Sequence, residues 1–243
     1  MRIVSGAFAV RKCVPLKQLI FGNLPFSEVN HLEQITTFAH AKINLSLDIL
    51  QKRLDGFHLI DSVMHSLSLA DKVEIAADDD KIHITCDNEK IPQDEQNIAY
   101  QAAISYFRAA HLTVRGVHIN IHKHIPTQAG LGGGSADAAA VLFGLSLLYP
   151  AGLSQNGLLR VASSIGADVP FCFTGGCKRV RGIGERLSPL PTLPECVIVL
   201  AKPPKGVSTK EAYDAYDARE TTWEPKTPAL CDALETHNLR QIS

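Results

Sequence analysis

The stretch PTQAGLGGGSADAAAVL, residues 126–142, decides how the chain is read. It places Gly130, Gly132, Gly133 and Gly134 within five positions, then Ser135, then an alanine- and leucine-rich run ending at Leu148. That run is too long for one strand and is built of strong helix formers, so a helix starts here. Just before the loop, Val117, Ile119 and Ile121 alternate with His118, Asn120 and His122, the period of a half-buried strand. The order is therefore strand, glycine loop, helix. The four glycines can adopt positive φ and let backbone N–H groups approach an anion, while the helix N-terminus adds the positive end of its dipole. A cradle for nucleotide phosphates is expected along Pro126, Thr127, Gln128, Ala129, Gly130 and Leu131, continuing through Gly132, Gly133, Gly134, Ser135 and Ala136. A Walker loop fails on residue content, because no lysine stands between Gly134 and Ser135. A dinucleotide fingerprint fails because the flanking pattern is not a parallel βαβ unit. A flexible turn ahead of a helix is the bland alternative.

Outward from the loop, patterned structure begins near Thr36. In KINLSLDIL (42–50), Ile43, Leu45, Leu47 and Ile49 alternate with Asn44, Ser46 and Asp48, which predicts a strand with one buried and one wet face. Further period-two runs fall at Val73–Ile75 and at Ile82, Ile84 and Cys86. Ala99, Ala102, Ala103, Tyr106 and Ala110 share a helical face within 94–111, and another helix runs from an N-cap at Ser154 to a stop at Gly166. Strands clustered with helices, without regular βαβ alternation, predict an α+β fold.

The mixture of 24 basic and 25 acidic residues gives a net charge of −1, without the basic stripe that nucleic-acid binding needs. The longest nearly apolar run, 138–149, is about half of the ~20 residues that cross a bilayer. Neither a nucleic-acid partner nor a membrane span is expected. Six scattered cysteines with no CxxC pair read as reduced thiols, and the expected compartment is the cytoplasm. Residues 1–27 carry Arg2, Arg11, Lys12 and Lys17 and no acid. That bias suits an organelle transit peptide and equally an upstream start or a disordered tail, so residues 1–35 read as an atypical extension.

The glycine loop resembles the second signature motif of the galactokinase, homoserine kinase and mevalonate kinase (GHMP) class, where it binds ATP phosphates. Four further segments narrow the likeness: AKINLSLDIL (41–50) with RLDGFHLIDSVMHSLSLAD (53–71), GADVPFC (166–172), RGIGERLSPLP (181–191) and KPPKGVSTKEAY (202–213). Their order and spacing resemble the diphosphocytidyl-methylerythritol kinase family over about residues 36–220. The resemblance implies the GHMP-kinase N-terminal domain (ribosomal protein S5 domain 2-like) over 36–190, then the beginning of a second α+β domain over 191–243. It also implies ATP-dependent phosphorylation of a small-molecule hydroxyl.

Residue by residue, the family's catalytic lysine and aspartate fall on Lys42 and Asp168. Phosphoryl transfer to an alcohol suits that pair, a carboxylate to take the hydroxyl proton and an ammonium to stabilise the developing charge. The family's cytidine pocket falls on Phe57 and His58, with Tyr213 as the second aromatic wall and Asn44 pointing into the same cleft. Phe57 stands where many relatives carry tyrosine, which keeps the ring face and removes a hydroxyl. Apart from the resemblance, Phe57 reads as core and His58 as a turn residue. His118, His122 and His124 lack a carboxylate or cysteine at ligand spacing and are read as solvated rather than metal-binding. Mg²⁺ is expected to arrive with ATP. The class's third glycine-rich segment is not found before Ser243, since Gly206 is the last glycine, and the expectation is a C-terminally truncated kinase. Two alternatives stay open: another small-molecule kinase of the class, and a non-catalytic or weakly active ATP-binding protein.

Overall fold

A computed structural model describes residues 7–11, 33–78, 81–114, 116–202, 206, 208–218 and 224–237. Most of the N-terminal extension, including Cys13, lies outside the described residues. Within it, β1 (Ala7–Arg11) pairs antiparallel with β8 (Val197–Ala201).

The frame is a long hairpin, β2 (Gln34–Lys52) and β3 (His58–Asp78). Its turn holds Gly56 at φ 88°, a left-handed position that glycine adopts without steric cost. The chain continues through β4 (Ile82–Cys86), α1 (Ile98–Ala109), β5 (Gly116–His122), α2 (Gly133–Leu148), α3 (Gln155–Ile165) and α4 (Val169–Thr174). Then come β6 (Cys177–Gly182), β7 (Arg186–Pro189), β8, α5 (Thr209–Asp217) and α6 (Thr227–Glu235). β3 is the axis of the sheet. It pairs with β2 along its length, with β5 through residues 72–78 and with β6 through residues 60–65. β4 runs parallel to β5 at one edge and β7 antiparallel to β6 at the other, so the sheet is mixed.

The main core lies between this sheet and α1, α2 and α3. The predicted apolar face of α1 is buried at Ala99, Ala102, Ala103 and Tyr106, and Asn97 caps the helix through its side chain. Ser154 caps α3 by accepting from Gly157 N, and Gly166 ends it, both as the sequence indicates. α2 is apolar on nearly every side because its neighbours α1, α3, α4 and the hairpin enclose it.

The expectation for β2 needs correction. Its polar face is not wet: Asp48 is 1% exposed, while Leu47 on the supposedly buried face is 43% exposed. The cause is α6, whose first residue, Thr227, donates its N–H to Asp48 Oδ2 at 2.8 Å and its hydroxyl to the Asp61 carbonyl at 3.0 Å. Three register shifts in β2, including one between His40 and Lys42, also break strict alternation.

Candidate functional site

Lys42 sits beside one of these irregularities, and its backbone N–H donates to the Leu131 carbonyl at 2.9 Å, tying β2 to the glycine loop. The loop's shape comes from three left-handed residues, Gln128 (φ 52°), Gly130 (φ 70°) and Gly132 (φ 68°). Gly133 and Gly134 do not share that conformation; they are the first residues of α2, and Gly132 is its N-cap. The expectation of positive φ therefore holds at two of the four glycines. A side chain at Gly132 would meet Lys42, with Cγ 2.9 Å from the added Cβ, so the lysine stem passes directly beneath the loop. Gly133 and Gly134 are needed for a different reason, because a Cβ would press inward, on Ile125 and Lys123 at the first and on Ile98 at the second.

Lys42 is almost fully buried. Its ammonium donates to Asn44 Oδ1 at 2.8 Å and lies 3.4 Å from Asp168 Oδ2, an ion pair slightly too long for a hydrogen bond. Asn44 is held in turn by donating to Ser62 Oγ at 2.7 Å, and Ser62 donates to the Ser46 carbonyl at 2.6 Å. The chain of contacts leaves the lysine little rotameric freedom.

Asp168 precedes α4 but does not cap it, so its carboxylate is turned to Lys42 instead of the helix N–H groups. The segment is anchored by Val169, Pro170 and Phe171, all buried. The turn between β6 and β7 approaches the residue before Asp168 so closely that a Cβ at Gly184 would lie 2.6 Å from the Ala167 carbonyl oxygen. Glycine there, at φ 124°, is what lets the turn pack against the Ala167 backbone, a role the sequence reading did not assign. The RGIGE motif was the available signal.

At the far end of the hairpin, His58 Nε2 donates to Asp217 Oδ1 at 2.7 Å, and Lys52 donates to the other carboxylate oxygen at 2.5 Å. Lys52 and His58 are cross-strand partners, so one carboxylate closes the hairpin end. Hydrogen bonds from Lys52 and then His58 hold the Asp217 carboxyl below the usual carboxylate range. Tyr213, one turn earlier on α5, stacks on His58 with centroids 4.7 Å apart and planes 15° apart, and Tyr216 meets the same ring edge-on. Phe57 stands beside this group, 56% exposed, and has no ring contact among the described residues. The structure thus joins His58 to Tyr213 and leaves Phe57 apart from both. α5 itself starts with a capping box, Ser208 with Glu211, whose S-x-x-E spacing was legible in the sequence and was overlooked.

Among the described residues no group of three His, Cys, Asp or Glu could hold a metal, and no helix is long and apolar enough to cross a membrane. His122 bonds Glu74 at 3.0 Å rather than forming a histidine cluster.

Residues 97–176 match the family described as "GHMP kinases N terminal domain". A 4-diphosphocytidyl-2-C-methyl-D-erythritol kinase of Carboxydothermus hydrogenoformans is 47% identical over 206 residues, covering 84% of this chain and 71% of that protein. One from Clostridium botulinum (strain Alaska E43 / Type E3) is 41% identical over 205 residues, covering 84% and 73%. Among solved structures, a 4-(cytidine 5'-diphospho)-2C-methyl-D-erythritol kinase superposes with a TM-score of 0.66 at 35% identity, covering 84% of this chain and 72% of that one. A homoserine kinase from Cytophaga hutchinsonii shares the fold, with a TM-score of 0.67 at 22% identity. Identity of this extent over most of both chains, on a fold whose loop, lysine and aspartate converge, means that the chain belongs to the 4-diphosphocytidyl-2-C-methyl-D-erythritol kinase family.

Proposed function

We propose that the protein transfers the γ-phosphoryl group of ATP to a hydroxyl of 4-diphosphocytidyl-2-C-methyl-D-erythritol, a step of non-mevalonate isoprenoid precursor synthesis. The observation that carries this reading is the 3.4 Å approach of Lys42 Nζ to Asp168 Oδ2 directly beneath the glycine loop. Asp168 accepts the hydroxyl proton as the oxygen attacks phosphorus, and ADP leaves. Lys42, held by Asn44, stands beside that carboxylate and offers its charge to the transferring oxygens. The N-terminus of α2 and the left-handed loop supply N–H donors to the phosphates. Mg²⁺, when bound, neutralises phosphate charge; it is expected to come with the nucleotide's own oxygens as ligands.

The cytidine end is assigned to Phe57, His58 and Tyr213, where a base can stack on an aromatic face and meet an imidazole. The test is a phosphate-transfer assay with ATP and diphosphocytidyl-methylerythritol, run beside mevalonate and homoserine. Turnover confined to the cytidine substrate is expected. Equal turnover of mevalonate or homoserine would reassign the protein within the class, and ATP binding without transfer to any of the three would make it a binding protein.

A further inference from the structure

Beneath the glycine loop lies a second set of charges that the reaction above does not use. Lys123, just after β5, extends its ammonium between two carboxylates, Asp71 Oδ2 at 2.5 Å and Asp137 Oδ2 at 2.6 Å. All three side chains are nearly sealed from solvent, at 6%, 0% and 5% exposure respectively. Asp71, in β3, also accepts the backbone N–H groups of His124 and Ile125, at 2.5 and 2.8 Å, where the chain turns toward the loop. Asp137 belongs to the first turns of α2, and its Oδ1 is buried with no hydrogen-bond partner among the described residues. Burial raises the Asp137 carboxyl, and Lys123 only partly offsets it. Burial would lower Lys123, but the attraction of Asp137 and Asp71 outweighs it.

Stability does not explain this arrangement. Replacing a buried charge cluster with apolar residues of similar volume is commonly neutral or stabilising, and a buried carboxylate oxygen left unpaired adds a cost. The neighbours of Asp137 on α2, Ala136, Ala138 and Val141, show that the same helix accepts apolar side chains here. Location supplies the reason. The Lys123 ammonium lies 3.4 Å from where a Cβ of Gly133 would stand, at the first residue of α2. It therefore joins three pieces of backbone, the middle strand, the approach to the loop and the helix whose N-terminus faces the phosphates.

We infer that Lys123 is a positioning residue for nucleotide binding, a buried strut that locks the anion-binding end of α2 to β3 through Asp71 and Asp137. The inference rests on the assignment of the loop to ATP, but the strut itself is a property of the ligand-free protein.

The experiment compares Asp137→Ala, which cuts the tie to α2 and leaves Lys123 paired with Asp71, with Asp137→Asn, whose amide oxygen still accepts from Lys123. In Asp137→Ala the KM for ATP should rise about tenfold or more, with the acceptor KM and the kcat at saturating ATP nearly unchanged. Hydrogen exchange at the amides of residues 130–136 should quicken in the same variant without nucleotide, and Asp137→Asn should restore both. An unchanged ATP KM together with unchanged exchange in folded Asp137→Ala would overturn the inference, as would an Asp137→Asn variant equally impaired. If Asp137→Ala does not fold, the double variant Lys123→Met with Asp137→Leu replaces it, under the same criteria. Faster exchange in a protein that never bound ATP would uphold the strut as a lock on α2, and its role toward the nucleotide would fall with the kinase reading.

Discussion

The middle of the β2–β3 hairpin and its turn end are built differently. Midway along β2, Lys42 is buried and held by Asn44, which Ser62 holds in turn, a backbone hydrogen bond crosses from strand to loop, and Asp168 keeps 32% of its side chain exposed. At the turn end His58 is covered by Tyr213 and Asp217 of α5, while Lys52 and Phe57 remain open to solvent. Transition-state stabilisation requires groups that do not reorganise during the reaction, whereas a large acceptor must enter and leave. Under the proposed function, one hairpin combines a fixed site for chemistry at its middle with a more open site for recognition at its turn.

The sharpest way to break this comparison is at the Lys42–Asp168 pair. Under the proposed function, Asp168→Asn should lower kcat by about 10²- to 10⁴-fold while ATP affinity stays within a few-fold, since that reading gives the phosphates to the loop. Steady-state kinetics with an ATP titration decides it, and near-normal turnover would remove Asp168 as the base.

Next in size is Gly132→Ala. The new Cβ is strained at φ 68° and would stand 2.9 Å from Lys42 Cγ, so the lysine must move. Both kcat and the ATP KM should worsen, by about tenfold each. Gly133→Ala strikes Ile125 and Lys123 instead, and should affect ATP more than turnover.

At the turn end, the proposed function expects Phe57→Ala to raise the KM of the cytidine substrate by the equivalent of about 1–3 kcal/mol and spare ATP, the loss for one stacking surface. Equal losses for both ligands would mean that the two sites are not separable.

The smallest effect concerns pH. The folded Asp217 carboxyl titrates below its unfolded value, so its clamp on Lys52 and His58 stabilises the protein above about pH 4 and is lost as pH falls through the lower folded value. The Tyr213 ring proton shifts, followed by NMR, should report loss of its stacking on His58 in that acid range.

What the sequence revealed follows the same division. α1, α3 and the loop-to-helix junction were legible because caps, glycines and apolar spacing are local signals. Lys42 and Asp168 were reached only through resemblance, since their 126-residue separation carries no periodic signal. The polar face of β2 misled, because α6 covers it from 179 residues away in the Asp48–Thr227 contact. The Lys123 strut was missed for a related reason, as its links to Asp137 and Asp71 span 14 and 52 residues. One trace of it was present in SADAAA, where a single acid interrupts a run of apolar helix formers.

Where Gly184 meets Ala167, no side chain fits between the two backbones. A larger residue at 184 would have to displace the turn or the residue before Asp168, so a change far from Lys42 along the chain would reach its ion pair through backbone displacement alone.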